Sequence, residues 1–423
     1  MILNHIKSIF AVKSLKTKII ATLGLVLVYK LLSVIPLPGA NTEGLKSIID
    51  SQKGLSMFSA LMGGGLENFS IILMGLSPYI NAVIIIQLLG VIVPKIGDMQ
   101  KEGEQGQRKI NKITRWLTLP LAFLQSYGMI LLLNNLANGS IIDIMNWKVV
   151  VLAMIVVTAG TIFLMWLGEV MTEYGIGNGI SIIIMAGVLS GVPSVIISHI
   201  ALGNYALFAG LLLATLAIIY IIIKFTEGNR RIPIIYTKTG REEKSYFPIR
   251  INQAGMIPII FAISLVTFPG IVGQIMANST AENTAKIGKL LLQYFSMQNP
   301  GWIFIVVYFA FVLIFSFFYV SITFNTDQVS ESIQKRGGYI PGIRPGSETA
   351  EYLSKVSTHL NLFGGSFLAL IAVLPYILQK LMPGQQVDFL ISGAGLIILV
   401  STILDLIRKV DSEMKMFDYS KYK

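Results

Sequence analysis

The fifty residues from Tyr174 to Ile223 contain no Asp, Glu, Lys or Arg. A run of that length cannot form a water-facing surface. A helix needs about 20 apolar residues to cross about 30 Å of hydrocarbon. The run therefore holds two crossings, divided at the Gly203-Asn204 turn signal. The rest of the chain agrees. Of 423 residues, 54% are hydrophobic and only 13% are charged, against about 25% charged in a soluble domain. Soluble enzymes, disordered tails and disulfide scaffolds are excluded, and a polytopic membrane protein is implied.

Ten apolar segments are long enough to span: 18–36, 74–93, 115–134, 149–168, 179–198, 205–223, 255–275, 301–323, 361–379 and 386–407. The predicted fold is an all-α integral membrane protein of ten transmembrane helices. Ten divides into halves of five, 1–200 and 201–423. An odd number of spans per half inverts the second half, so the two would be related by an axis in the membrane plane. The short connection from His199 to Tyr205 would be the hinge. No internal sequence repeat is evident, so the pseudo-symmetry is an expectation from topology.

Lysine and arginine give the orientation. Of 33 such residues, 26 fall on the side of both termini and 6 on the other, with Lys30 inside the first span. By the positive-inside rule both termini face the cytoplasm. The first span lacks a small-residue cleavage site and reads as a retained span rather than a signal peptide.

Several chemistries are excluded. Without cysteine there is no disulfide, thiol nucleophile, cysteine-ligated zinc, iron–sulfur cluster or covalent haem. The three histidines, His5, His199 and His359, have no partners at ligand spacing, so neither a metal site nor a cofactor is expected. No nucleophile–base pair is available for intramembrane catalysis. No GxxxxGK[ST] motif supplies ATP chemistry. The chain is not expected to be an enzyme. Lys30 lies towards the outer part of its span and can snorkel. Glu169, Glu173 and Asp405 sit at span ends. Gln87, Gln125 and Asn81 suit interhelical hydrogen bonds. An inverted-repeat transporter and a passive channel both remain open on pattern alone. The transporter needs ionisable groups at mid-membrane, where this chain has Ile, Val, Leu and Gly.

Two features stand apart. The apolar segment 54–78 is broken by Gly63-Gly64-Gly65. About twelve helical residues reach only about 18 Å. Such a piece lies on the interface or re-enters the membrane under the shield of other helices, and its glycines would let it move as a stopper. Ile80 and Ile84 share a helix face at i, i+4, as do Ile184 and Val188. Spacing alone makes these helix faces and no more.

Two connections are long. Residues 224–252 read as β-prone stretches around a Gly-containing turn, a hairpin finger. Residues 325–358 contain Gly342-Ile343-Arg344-Pro345-Gly346, a stiff turn presenting one arginine. The tail, 408–423, is charged.

Five strings carry a family likeness: PYINAVIIIQLL (78–89), KEGEQGQRKINKITRW (101–116), WLGEVMTEYGIGNGISIII (166–184), INQAGMIPIIFA (251–262) and GGYIPGIRPGSETAEYL (337–353). With these the chain resembles the SecY family, the central subunits of the bacterial protein translocase, essentially from end to end. Asn325-Thr326 departs from the family's frequent Asn-Pro.

The resemblance implies a protein-conducting channel of the bacterial cytoplasmic membrane. It passes unfolded secretory chains and releases apolar helices sideways into lipid. It implies a pore ring of Ile80, Ile84, Ile184, Val188, Ile260 and Ile398. A plug at about 55–66 would include Leu55, Met57, Phe58, Leu61, Met62 and Leu66. A lateral gate between spans two and three and spans seven and eight would be lined by Gln87, Gln125 and Phe268. A motor or ribosome would dock on Arg344, then Arg230, Arg231, Lys238 and Arg241. The implied partners are SecE, SecG, the SecA motor ATPase, the ribosome, substrates with signal sequences, and lipid.

Overall fold

The computed structural model describes residues 12–38, 69–136, 141–143, 145–201, 205–238, 241–277, 281–295, 300–381 and 391–421. The first-half helices are α1 (Lys13–Val34), α2 (Ser77–Ile92), α3 (Pro94–Lys101), α4 (Glu104–Leu136), α5 (Trp147–Tyr174) and α6 (Gly179–Ala201). After α7 (Tyr205–Glu227) come strands β1 (Asn229–Lys238) and β2 (Arg241–Arg250). The chain continues through α8 (Ile257–Ala277), α9 (Glu282–Phe295), α10 (Trp302–Thr323), α11 (Thr326–Lys335), β3 (Gly338–Tyr339), α12 (Ser347–Leu381) and α13 (Gly393–Lys421).

The protein is an all-α membrane protein with a small sheet outside the apolar zone. Each of the ten predicted segments overlaps a helix. Among the described residues, six helices are long and apolar enough to cross alone, and seven if α2 and α3 count as one bent span. The others fall short for physical reasons. α8 carries a shorter apolar stretch, Ile257–Gly270, and α13 bears Asp405, Arg408 and Lys409 in its middle. In lipid a helix satisfies its own backbone groups, and these segments have no alternative conformation at that depth.

The bend between α2 and α3 is 110°. Pro94 lacks the N–H that would continue α2, and it holds Val93 extended at φ −104° and ψ 107°. The turn folds α3 back so tightly that a Cβ at Gly97 would lie 2.6 Å from the Gly90 carbonyl oxygen. Only a glycine fits there.

Most buried apolar side chains form one central cluster. It takes Tyr29 from α1, Ile80 and Ile84 from α2, Ile184 from α6, Ile259 and Val266 from α8, Tyr308 from α10, Ala372 from α12 and Ile398 from α13. A second cluster packs α4 and α5 around Phe69, Leu73, Ile130 and Val157. Ordered contacts show which ends share a side. Lys18 Nζ of α1 lies 2.6 Å from Glu413 Oε1 of α13. Arg115 Nη2 of α4 lies 2.7 Å from Glu169 Oε2 of α5.

The finger expected between spans six and seven is an antiparallel hairpin, with Arg230 opposite Ile249 and Lys238 opposite Arg241. The sheet order is β2-β1-β3. Ile232 and Ile234 alternate to one face and meet Ile249, Ile333 and Leu353 in a separate apolar core. β3 thereby ties the second long connection to the first.

Candidate pore

Three turns set the phase of the helices that supply the expected ring. At the GIGNGIS string, the Asn178 side chain caps α6 by accepting from the backbone N–H of Ile180 at 3.0 Å. The Gly179 N–H donates to Thr172 Oγ1 at 2.8 Å, and the Ile176 N–H donates to Thr22 Oγ1 at 3.1 Å. At the INQAGMIP string, Asn252 Oδ1 accepts from the Gly255 N–H at 2.9 Å, with Gly255 at φ +65°. Ser357 Oγ donates to Gln253 Oε1 at 2.8 Å, fastening this turn to α12. Before α13, Ser392 Oγ accepts from the Gly395 N–H at 2.9 Å.

With their phases set, four helices aim branched aliphatics inward. Ile80, Ile84, Ile184 and Ile398 are all buried in the central cluster, and Ile260 is half-buried against it. Val188 is buried as well. Its Cγ1 lies 3.1 Å from the position a Cβ would take at Gly395, so it abuts the first turn of α13. All six residues thus lie inside the protein and none faces the surrounding lipid.

A cavity of about 430 Å³ opens beside this cluster. Ile80, Ile184 and Ile260 line it together with the polar and charged Asn178, Arg250, Asn252, Gln253, Asp405 and Arg408. Arg408 Nη1 pairs with Asp405 Oδ1 at 3.3 Å. Three of the six aliphatics and a set of polar side chains thus share one cavity, called the vestibule below.

The helices named for the lateral gate pack closely. α8 lies against both α2 and α4. The residues named for it divide. Gln87 lines the vestibule, Gln125 has its side-chain carbonyl buried, and Phe268 is 48% exposed on the outer surface of α8. Two residues on, Gly270 packs against α9, where a Cβ would stand 2.7 Å from the Phe295 carbonyl oxygen.

On the finger, Arg230 and Arg231 are exposed. Lys238 and Arg241 close the hairpin. The Arg344 turn is braced. Ser330 Oγ donates to the Gly346 carbonyl at 2.6 Å, and Thr349 Oγ1 donates to the Arg344 carbonyl at 2.8 Å. Arg344 is not as isolated as its sequence context implies, since Glu348 Oε1 lies 3.9 Å away. The guanidinium is still 88% exposed. The plug candidates Leu55, Met57, Phe58, Leu61, Met62 and Leu66 lie outside the described residues.

Sequence reasoning missed the vestibule. It also missed the bond from Lys30 Nζ to Ser190 Oγ, 2.9 Å, which joins α1 to α6. The Asn residues of GIGNGIS and INQAGMIP were the available signal, as Asn beside Gly marks caps and turns.

Fold and site define a multi-pass, all-α membrane protein with a buried aliphatic cluster at its centre. The SecY family model matches residues 70–407, and the chain belongs to the SecY family. It is 36% identical to the protein translocase subunit SecY of Vibrio cholerae serotype O1 over 96% of this chain and 93% of that one. Among solved structures it is similar to a SecY whose plug domain stabilises the closed translocation channel, with a TM-score of 0.68, 18% identity and coverage of 94% and 92% of the two chains. It is likewise similar to canine Sec61 in the ribosome–channel complex of the endoplasmic reticulum, with a TM-score of 0.65, 18% identity and coverage of 94% and 92%.

Proposed function

We propose that this protein is a passive protein-conducting channel of a bacterial cytoplasmic membrane, with both termini cytoplasmic. Unfolded secretory polypeptides thread through the waist, and apolar segments leave sideways into lipid. The observation that carries this reading is the waist itself: six branched aliphatics on four helices, all turned inward, with no charge among them. A substrate chain presents every kind of side chain, so fixed polar contacts would stall some of them. An aliphatic constriction touches all of them weakly, while hydrated ions cross it only at high cost.

The remaining roles follow from this one. The segment around 55–66 would stop the idle pore from the outer side. The halves 1–200 and 201–423 would part at the 199–205 connection and open the seam between α8 and the α2–α4 pair. Membrane segments would then partition by apolarity. SecE and SecG would brace the two halves. The finger and Arg344 would receive SecA or a ribosome, whose rRNA phosphates attract basic side chains. The chain performs no chemistry itself, and energy comes from the bound motor, the ribosome or an ion gradient.

The test is site-specific crosslinking of a stalled secretory chain to probes at positions 80, 184 and 398. Contact at all three is the expected result. A chain that crosses the membrane without touching any of them would sink the proposal.

A further inference from the structure

The vestibule has a hydrogen-bond deficit that channel sealing does not explain. Thr226, Asn252 and Ser401 are each more than nine-tenths buried, and all three line this cavity together with Gln87 and Gln253. Each leaves a buried polar atom without a partner: Thr226 Oγ1, Asn252 Nδ2, Ser401 Oγ, Gln87 Oε1 and Gln253 Nε2. Buried polar groups are nearly always bonded, and five orphans on one cavity are not scattered packing defects. They come from α2, α7, α13 and the turn before α8, so they surround the space rather than form a single patch. Ser401 follows Ile398 by three residues, about 4.5 Å along the helix. Gln87 follows Ile84 by the same interval. Gln87 and Ser401 thus lie just beyond Ile84 and Ile398, and Thr226, Asn252 and Gln253 share their cavity.

Their chemistry is mixed. Asn252 Nδ2 and Gln253 Nε2 are donors, because the oxygen of each amide is already an acceptor, from Gly255 and Ser357 respectively. Gln87 Oε1 is an acceptor, and the two hydroxyls serve as either. An ion of one sign would not satisfy such a set. An extended polypeptide would, since every residue except proline offers one N–H and one C=O. The main chain is also the only chemistry common to all substrates of a channel that accepts any sequence.

We propose that the vestibule is a main-chain-binding cradle: Gln87, Thr226, Asn252, Gln253 and Ser401 hydrogen-bond the backbone of the threaded chain one helical turn before the waist. This inference rests on the channel reading. The cradle returns to the peptide groups the bonds they lose with water on entry, whatever side chains they carry.

The test uses the full-length channel reconstituted in vesicles with its motor. Two secretory polypeptides of identical side-chain sequence are compared, one natural and one semisynthetic with three consecutive backbone esters that remove N–H donors. The wild-type channel is expected to transport the ester chain about threefold more slowly. The double variant Thr226→Val, Ser401→Ala, checked for unchanged thermal stability, should slow the natural chain by a similar factor and treat the two chains alike. Equal transport of both chains by the wild-type channel overturns the cradle. So does a variant that slows both chains by the same factor. Failure of the wild-type channel to transport either chain would instead strike the channel reading on which the cradle rests.

Discussion

Ile84 and Ile398 sit 5% and 1% exposed in the central cluster. Replacing both by the smaller, polar Asn removes aliphatic bulk and places amides where sealing depends on excluding water. We expect the double variant to raise idle single-channel conductance in planar bilayers, with insertion unchanged. Unaltered conductance would remove these two residues from the seal. At the other end of the molecule, Arg344 is held out by a braced turn. Arg344→Glu reverses the charge beside Glu348 and presents two carboxylates where one cation stood. Motor-driven export is expected to fall at least tenfold while the protein stays folded in the membrane. Export at the normal rate would show that the motor reads another surface.

At the level of elements, close helix contacts depend on missing side chains. A Cβ at Gly160 of α5 would strike the Ile71 carbonyl, within the buried segment that leads into α2. Gly160→Val should cost about 1–3 kcal/mol, the usual penalty of overpacking. It would be read as a lowered melting temperature in detergent or nanodiscs, and an unchanged melting temperature would mean the contact yields freely. The sheet has its own core, separate from that of the membrane helices. Ile234→Asp buries a charge in it. Limited proteolysis should then cut the finger between 229 and 250 and leave the membrane-spanning fragments whole. Cleavage throughout the chain would mean that the two cores are coupled.

For the whole molecule, the proposed channel requires α6 and α13 to separate when a chain passes. Val188 of α6 and Gly395 of α13 are near enough for a disulfide, by the 3.1 Å separation between Val188 Cγ1 and an ideal Cβ at Gly395. The chain has no cysteine of its own, so Val188→Cys with Gly395→Cys gives one defined bridge across the ring. Oxidation should stop the ring from dilating and cut polypeptide transport about tenfold, with reductant restoring it. Transport indifferent to oxidation would mean that the chain passes elsewhere.

What could be read in the sequence was whatever the bilayer dictates locally. Fifty residues without a charge leave helices as the only option, and every apolar run predicted to span overlaps a helix in the structure. The hairpin finger was legible for a similar reason, since β-prone runs flanking a turn are a local signal. The positions of Ile80 and Ile84 on one face followed from the helix repeat, but the point they face did not. That depended on the turns at Asn178, Asn252 and Ser392, which fix how far each helix is rotated, and on contacts between residues hundreds of positions apart. The exposure of Phe268, the proximity of Glu348 to Arg344 and the unpaired atoms around the vestibule belong to the same class. Helix formation in lipid is decided by each segment's own composition. Which faces meet is decided by packing among all of them, and only the tertiary structure carries that information.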